Sequence, residues 1–356
     1  MNRHLHRIVF NKARGQLVAV AEIDSGDHGG TPGSASGTPP ARRLSIVLSA
    51  LRLCLLSAFG SLLWVGSGTA QVVVDPQAPS NQRPTLLTAG NGVPVVNIQT
   101  PSAGGVSRNT YRQFDVNGQG LVLNNSPTDV RSQLGGWLQA NPWLATGGAR
   151  VILNEVNSPN ASQLRGYIEV AGQRAQVIVA NPAGITCDGC GFINASRATL
   201  TTGTPLINDG VLDGYRVRDG VVTVQGNGLD ASQTDYTDII ARAVKLNAGV
   251  WAQNLRVTTG VNDVDAAHEQ VRAADPATAA GAAPTVAIDV AQLGGMYAGH
   301  IRLIGTEAGV GVRNAGSIGA SVGEVVVTTE GWLTNSGSLH AAADARVAVQ
   351  GGLTNT

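Results

Sequence analysis

The sequence predicts an all-β fold, a β-solenoid wound in coils of about twenty residues, and three observations carry that expectation. The first is composition. The 356 residues include 46 glycines, are 43% apolar and only 13% charged, and contain just two lysines, Lys12 and Lys245. Abundant Val and Thr between glycines favour short strands and turns, and the apolar content excludes a disordered or collagen-like chain. The second is a succession of β-forming runs closed by Gly or Asn, at residues 93–98, 120–123, 176–180, 221–224, 285–290, 301–304, 325–328 and 346–349. The third is a repeat. Val312-Arg313-Asn314-Ala315-Gly316-Ser317-Ile318 is echoed by Leu333-Thr334-Asn335-Ser336-Gly337-Ser338-Leu339, and Leu353-Thr354-Asn355 opens a third copy. The asparagines are 21 and then 20 residues apart. Coils of that length stack at about 4.8 Å, so each Asn is expected to bond its counterpart one coil on while Val and Ile stack inside.

In chain order, residues 1–24 are basic and apolar, and residues 25–40 form a Gly/Ser/Pro-rich linker. Residues 41–70 then read as a signal peptide: Arg42, Arg43 and Arg52 precede an apolar run, and small residues lead to a cut between Ala70 and Gln71. The run, residues 53–65, is too short to span a bilayer as a helix, which takes about 20 residues. The opening stretch exceeds what an ordinary signal needs. Its Arg7-Ile8-Val9-Phe10-Asn11 and Lys12-Ala13-Arg14-Gly15 elements resemble the extended signal region of very large exported proteins of Gram-negative bacteria. Seven basic and three acidic residues precede position 71; subtracting them from 24 of each leaves 17 and 21, a charge near −4. Such a balance does not point to nucleic acid or an anionic membrane as partner.

Residues 263–284, rich in Ala and poor in turn signals, carry no strand pattern and are expected outside the coil as a loop or short helix. The third repeat stops just past its asparagine, which suggests the head of a longer product or a truncated gene.

Two segments carry a family resemblance: Asn141-Pro142-Trp143-Leu144, and residues 175–203, which contain Asn181-Pro182-Ala183-Gly184-Ile185. They look like the secretion domain of the filamentous haemagglutinin family, the exported partner of two-partner secretion (TPS), which includes adhesins, haemolysins and contact-dependent growth-inhibition toxins. Similarity extends to residues 93–98, 111–116, 238–242 and 294–297. The family signatures are Asn-Pro-Asn-Leu and Asn-Pro-Asn-Gly-Ile, so Trp143 and Ala183 are departures. Asn-Pro fixes φ at the proline and lets the Asn side chain close a turn, which makes both elements corners of the coil as readily as contacts for a partner.

The resemblance implies binding by the periplasmic POTRA domains of a TpsB-type outer-membrane transporter, passage through its barrel, and export to the surface of a Gram-negative cell, with host or bacterial surface receptors beyond. It completes the fold as a right-handed parallel β-helix with an amino-terminal cap and extra-helical hairpins. The secretion domain is expected over residues 71–306 and haemagglutinin-type repeats over 307–356. Surface adhesion is the first expectation for the whole product, delivery of a contact-dependent toxin the second, and a β-helical polysaccharide lyase or hydrolase the third.

Cys187-Asp188-Gly189-Cys190 follows the second signature, and Cys54 leaves with the signal. Two cysteines without a nearby histidine lack the ligands of a zinc site, and a local disulfide is expected, as in a subset of the family. No metal, cofactor or catalytic residue is expected. His268, His300 and His340 are scattered; Asp209, Asp213, Asp219 and Asp230 stand beside glycines as turn-makers; Asp235 and Asp238 read as a solvated loop.

Overall fold

The computed structural model of the chain describes residues 6–11, 16–21, 72–279 and 281–356. The apolar signal run, Cys54 and the Ala70–Gln71 cleavage position lie outside the described residues. The chain divides into two units, residues 1–65 and 66–356. In the first, His6–Asn11 and Gln16–Ala21 pair antiparallel, with His6 opposite Ala21.

The second unit is a right-handed parallel β-helix. Every run read as a strand from residue 93 onward contains one. One wall is a ten-stranded sheet from Val72–Val74 to Ala345–Val349, parallel throughout after its first pair. The other two walls share a bent sheet. Within Ile185–Ile193 the register shifts between Asp188 and Cys190, so Ile185 aligns with Val222 and Cys190 with Leu229. Later coils break at the same place into separate short strands, such as Ala243–Leu246 and Gly249–Ala252.

Interior positions stack in columns. Ile185, Val222, Val244, Ile288, Val312, Leu333 and Leu353 follow one another in register on successive coils. All but Leu353, in the last coil, are buried. In the neighbouring column, Leu164, Cys187, Val224, Leu246 and Val290 give way to Asn314, Asn335 and Asn355. Asn314 Nδ2 donates to Asn335 Oδ1 and Asn335 Nδ2 to Asn355 Oδ1, each at 2.7 Å, which is the ladder the repeat predicts.

The amino end is closed by antiparallel strands on two walls: Val72–Val74 on Val106–Phe114, and Thr85–Thr88 on Pro94–Asn97. Two insertions leave the coil. The hairpin Val130–Ser132/Gly136–Leu138 is held by Glu169, a buried carboxylate that accepts from Ser132 Oγ, Gln133 N and Leu134 N at 2.7–2.8 Å. A four-stranded antiparallel sheet of Thr204–Asn208, Val211–Val217, Asn262–Asp265 and Val271–Ala273 covers part of the ten-stranded wall. It packs Leu212, Tyr215, Val217 and Val264 on Leu153, Ile178, Ala180 and Ile240 in a second core. Residues 263–284 thus lie outside the coil as expected, but they contribute strands as well as a one-turn helix, Pro276–Thr278 capped by Asp275. Asp213 is likewise inside a strand rather than a turn.

Candidate functional site

Both Asn-Pro elements form the same hydrogen-bonded corner. Asn141 is buried; its Oδ1 accepts from Trp143 N at 3.0 Å while its Nδ2 donates to the carbonyls of Ile98 and Asn124, each at 2.9 Å. One amide side chain therefore caps the single turn Pro142–Leu144 and ties it to two other segments of the coil. Proline at the first helical position fixes φ and gives up no needed donor. Leu144 plugs the core with no exposed surface. Trp143 points outward, 43% exposed, its Nε1 donating to Thr85 Oγ1 at 3.1 Å.

Asn181 repeats the pattern. Its Oδ1 accepts from Ala183 N at 3.0 Å, and its Nδ2 donates to Asn160 O and Ser162 Oγ, each at 2.9 Å. Pro182 and Ala183 are exposed, and Ile185 enters the core. Gly184 has φ +114, and a Cβ there would meet Val221 O at 3.0 Å, so the chain needs glycine to turn against the next coil. In both corners the residue that departs from the family signature is the outward one. The anchoring Asn and Pro are retained, and so is the turn. No hydrogen bond or ion pair joins the two corners to each other among the described residues.

Cys187 and Cys190 are disulfide-bonded, their Cα atoms 5.3 Å apart, and both sulfurs belong to the interior. They flank the bend of Ile185–Ile193 at Gly189, whose φ is +79. The bond thus staples the corner between two walls immediately after Asn181-Pro182.

The amino-terminal cap carries an exposed apolar patch near the first corner. All four residues of Thr85–Thr88 are exposed, and that strand ends its sheet, with Pro94–Asn97 its one neighbour there. Leu86, Leu87, Trp137 and Trp143 are 40%, 49%, 75% and 43% exposed. A hollow of about 160 Å³ runs between Leu87 and Trp137.

Asp235 is half-exposed on Arg174, whereas Asp238, expected in a solvated loop, is buried. Arg197 Nε lies 3.2 Å from one of its oxygens and His268 Nδ1 3.0 Å from the other. The extra-helical sheet brings His268 and Tyr215 over this position; burial first, and the Asp238 charge second, push the Tyr215 phenol up. Nothing near Asp238 in the sequence signals that cover. Asp219 makes a turn, accepting from Gly220 N, whereas Asp230 lies inside the strand Val221–Ala231 and accepts from Ser232 N just beyond it. Among the described residues no three His, Cys, Asp or Glu side chains are placed to hold a metal ion.

Comparison with known proteins follows the same lines. A family model described as the TPS secretion domain matches residues 70–335, and one described as the extended signal peptide of type V secretion systems matches residues 1–57. "Toxin CdiA" of Yersinia pestis is 55% identical over 359 residues, covering 100% of this chain and 11% of that protein. "tRNA nuclease CdiA-2" of Burkholderia pseudomallei is 46% identical over 96% of this chain, again 11% of its own length. The chain therefore spans about a tenth of these curated relatives. Among solved structures, a filamentous hemagglutinin secretion domain superposes with a TM-score of 0.68 at 35% identity, covering 80% of this chain and 99% of that one.

Proposed function

Because the chain belongs to the TPS secretion-domain family, we propose that its amino-terminal cap is the surface that its transporter reads. The domain is the secretion-targeting module of an exoprotein exported by a Gram-negative cell to its surface, and its partner is an outer-membrane transporter of the TpsB type. The observation that carries the finer reading is the edge strand Thr85–Thr88, which ends its sheet and carries exposed Leu86 and Leu87, with Trp137 and Trp143 beside it. An extended edge offers main-chain hydrogen bonds to a strand of a periplasmic POTRA domain, and the apolar patch supplies contact area. On this reading the Asn141 and Asn181 corners and the Cys187–Cys190 staple hold the surface in shape. Residues 1–70 are the export signal, cut after Ala70, residues 71–306 the secretion domain and 307–356 the first repeats.

For the cargo, the two relatives favour a contact-dependent growth-inhibition toxin over an adhesin, because 55% identity runs through the whole chain. Coil-by-coil folding outside the cell would then help draw the remainder through the transporter without ATP.

Expressing the chain in a Gram-negative host with and without its transporter tests the assignment. Protein in the medium only when the transporter is present is the expected result; retention in the periplasm in both hosts would sink it. Ile178→Pro removes a ladder donor from the buried strand Ala175–Ala180 and is expected to abolish secretion. Normal secretion of that variant would refute folding-driven export.

A further inference from the structure

Away from the cap, the wall that carries Gly249–Ala252 and Gly295–Ala298 presents a row of aromatic rings that neither the coil's core nor the transporter surface uses. Tyr167, Gly191, Asp230, Trp251, Tyr297, Gly319 and His340 follow one another in register on successive strands, all on the outer side. Trp251 and Tyr297 lie with centroids 6.3 Å apart and planes within 20°.

Each ring is laid over glycine. A Cβ on Gly249 would come within 2.7 Å of Trp251, one on Gly228 within 2.8 Å of the same ring, and one on Gly295 within 2.7 Å of Tyr297. Gly191 lies beneath Tyr167 in the same way. One face of each ring therefore rests on backbone and the other is open, consistent with exposures of 36% for Tyr167 and 43% for both Trp251 and Tyr297. The next position toward the carboxyl end is Gly319, where a Cβ would meet nothing within 4 Å. It floors a hollow of about 330 Å³ beside Tyr297, with Ser321 and His340 on its rim.

The charge of this row limits what it can bind. It holds no Lys or Arg, which argues against phosphate, nucleic acid or an anionic polymer. Its one carboxylate, Asp230, already accepts from Tyr167 Oη at 2.7 Å and Ser232 Oγ at 2.6 Å. Flat, rigid, half-buried aromatic faces with a few polar tips match a ligand that is itself apolar on its faces and polar at its edges. A pyranose ring has that character: axial C–H groups on the face and hydroxyls around the rim. At about 4.8 Å per coil, the stretch from Asp230 to His340 spans about 19 Å along the axis, long enough for a chain of several sugars.

We propose that this wall is a binding strip for an uncharged, unbranched glycan, with Trp251 and Tyr297 as the stacking platform and the Gly319 hollow as an adjoining subsite. The strip is independent of transporter recognition.

The test is titration calorimetry of the purified chain with cellohexaose, chitohexaose and maltohexaose, and with polygalacturonate as the charged control. Binding of at least one neutral oligosaccharide is expected, weakened at least tenfold in Trp251→Ala/Tyr297→Ala. Trp251→Phe, which still covers Gly249, should weaken it less. Gly319→Tyr should extend the platform into open space and tighten binding several-fold. Thermal unfolding of each variant checks that the coil is intact, and transporter-dependent secretion should be unchanged. No binding of any neutral probe overturns the proposal, as does binding by the charged polymer alone or affinity unaltered in a folded double variant. Loss of secretion without loss of a glycan signal would instead assign the strip to the transporter.

Discussion

The amino-terminal coils and the carboxy-terminal repeats use one architecture with opposite emphasis. Up to about residue 265 each coil is individual. Corners are built from single buried side chains such as Asn141 and Asn181, a disulfide staples one bend, and insertions cover the walls. From residue 311 on, the coils copy one another, with Asn314, Asn335 and Asn355 bonded head to tail and Ser317 Oγ accepting from Ser338 Oγ at 3.0 Å. A repeated ladder can be extended without limit because each coil satisfies the next; a unique corner satisfies itself and marks a place. This contrast is what the proposed reading needs, with recognition in the first region and length in the second.

The largest expected effect concerns the link between the regions. Arg242 and Glu307 are both buried, with Nη2–Oε1 at 3.0 Å and Nε–Oε2 at 3.3 Å, and Arg242 Nη1 also donates to Gly281 O at 3.1 Å. They sit just past Tyr236–Ala241 and His300–Gly305, two strands separated by one coil. Gly260 lies between, where a Cβ would come within 2.9 Å of Glu307 N. Arg242→Ala strands a buried carboxylate and should destabilise the chain by about 3–5 kcal/mol in urea unfolding. Arg242→Met/Glu307→Leu, which removes both charges, should recover most of that loss.

The corner and the ladder can be compared directly. Asn181→Ala removes the partner of the buried Ser162 Oγ and of the part-buried Asn160 O and Ala183 amide, at an expected cost of about 1–3 kcal/mol. Asn335→Ala removes two ladder bonds, one part-buried and one exposed, at about 1 kcal/mol or less. Equal losses would erase the distinction between the regions. Cys187→Ala/Cys190→Ala falls between them: closing so short a loop restricts the unfolded chain by only about 1–2 kcal/mol.

Much of this was legible in the sequence because both the repeat period and the Asn-Pro turns are local. The ladder follows from Asn314 and Asn335 alone, and the corners from proline chemistry. What escaped depends on contacts between distant segments. The extra-helical sheet packs on outward positions of the wall, so Leu153, Ile178 and Ile240 are apolar on the face that should be polar, and the alternation that marks strands is lost. Asp238 is buried for the same reason, under His268. The row of Tyr167, Trp251 and Tyr297 exists only once the register is set.

The smallest effect on stability is the sharpest test of the cap. Trp143 is outward and 43% exposed, and its hydrogen bond to Thr85 is at the surface, so Trp143→Ala should change stability by no more than about 0.5 kcal/mol. If the cap is the surface the transporter reads, that variant, combined with Leu87→Lys on the edge strand, should be secreted several-fold more slowly while unfolding at the same urea concentration as the parent. Asn335→Ala should show the reverse, a measurable loss of stability with secretion unchanged. A secretion rate that instead tracked stability across all these variants would mean that the transporter senses only whether coils can form, and the amino-terminal coils would then owe their individuality to folding rather than to recognition.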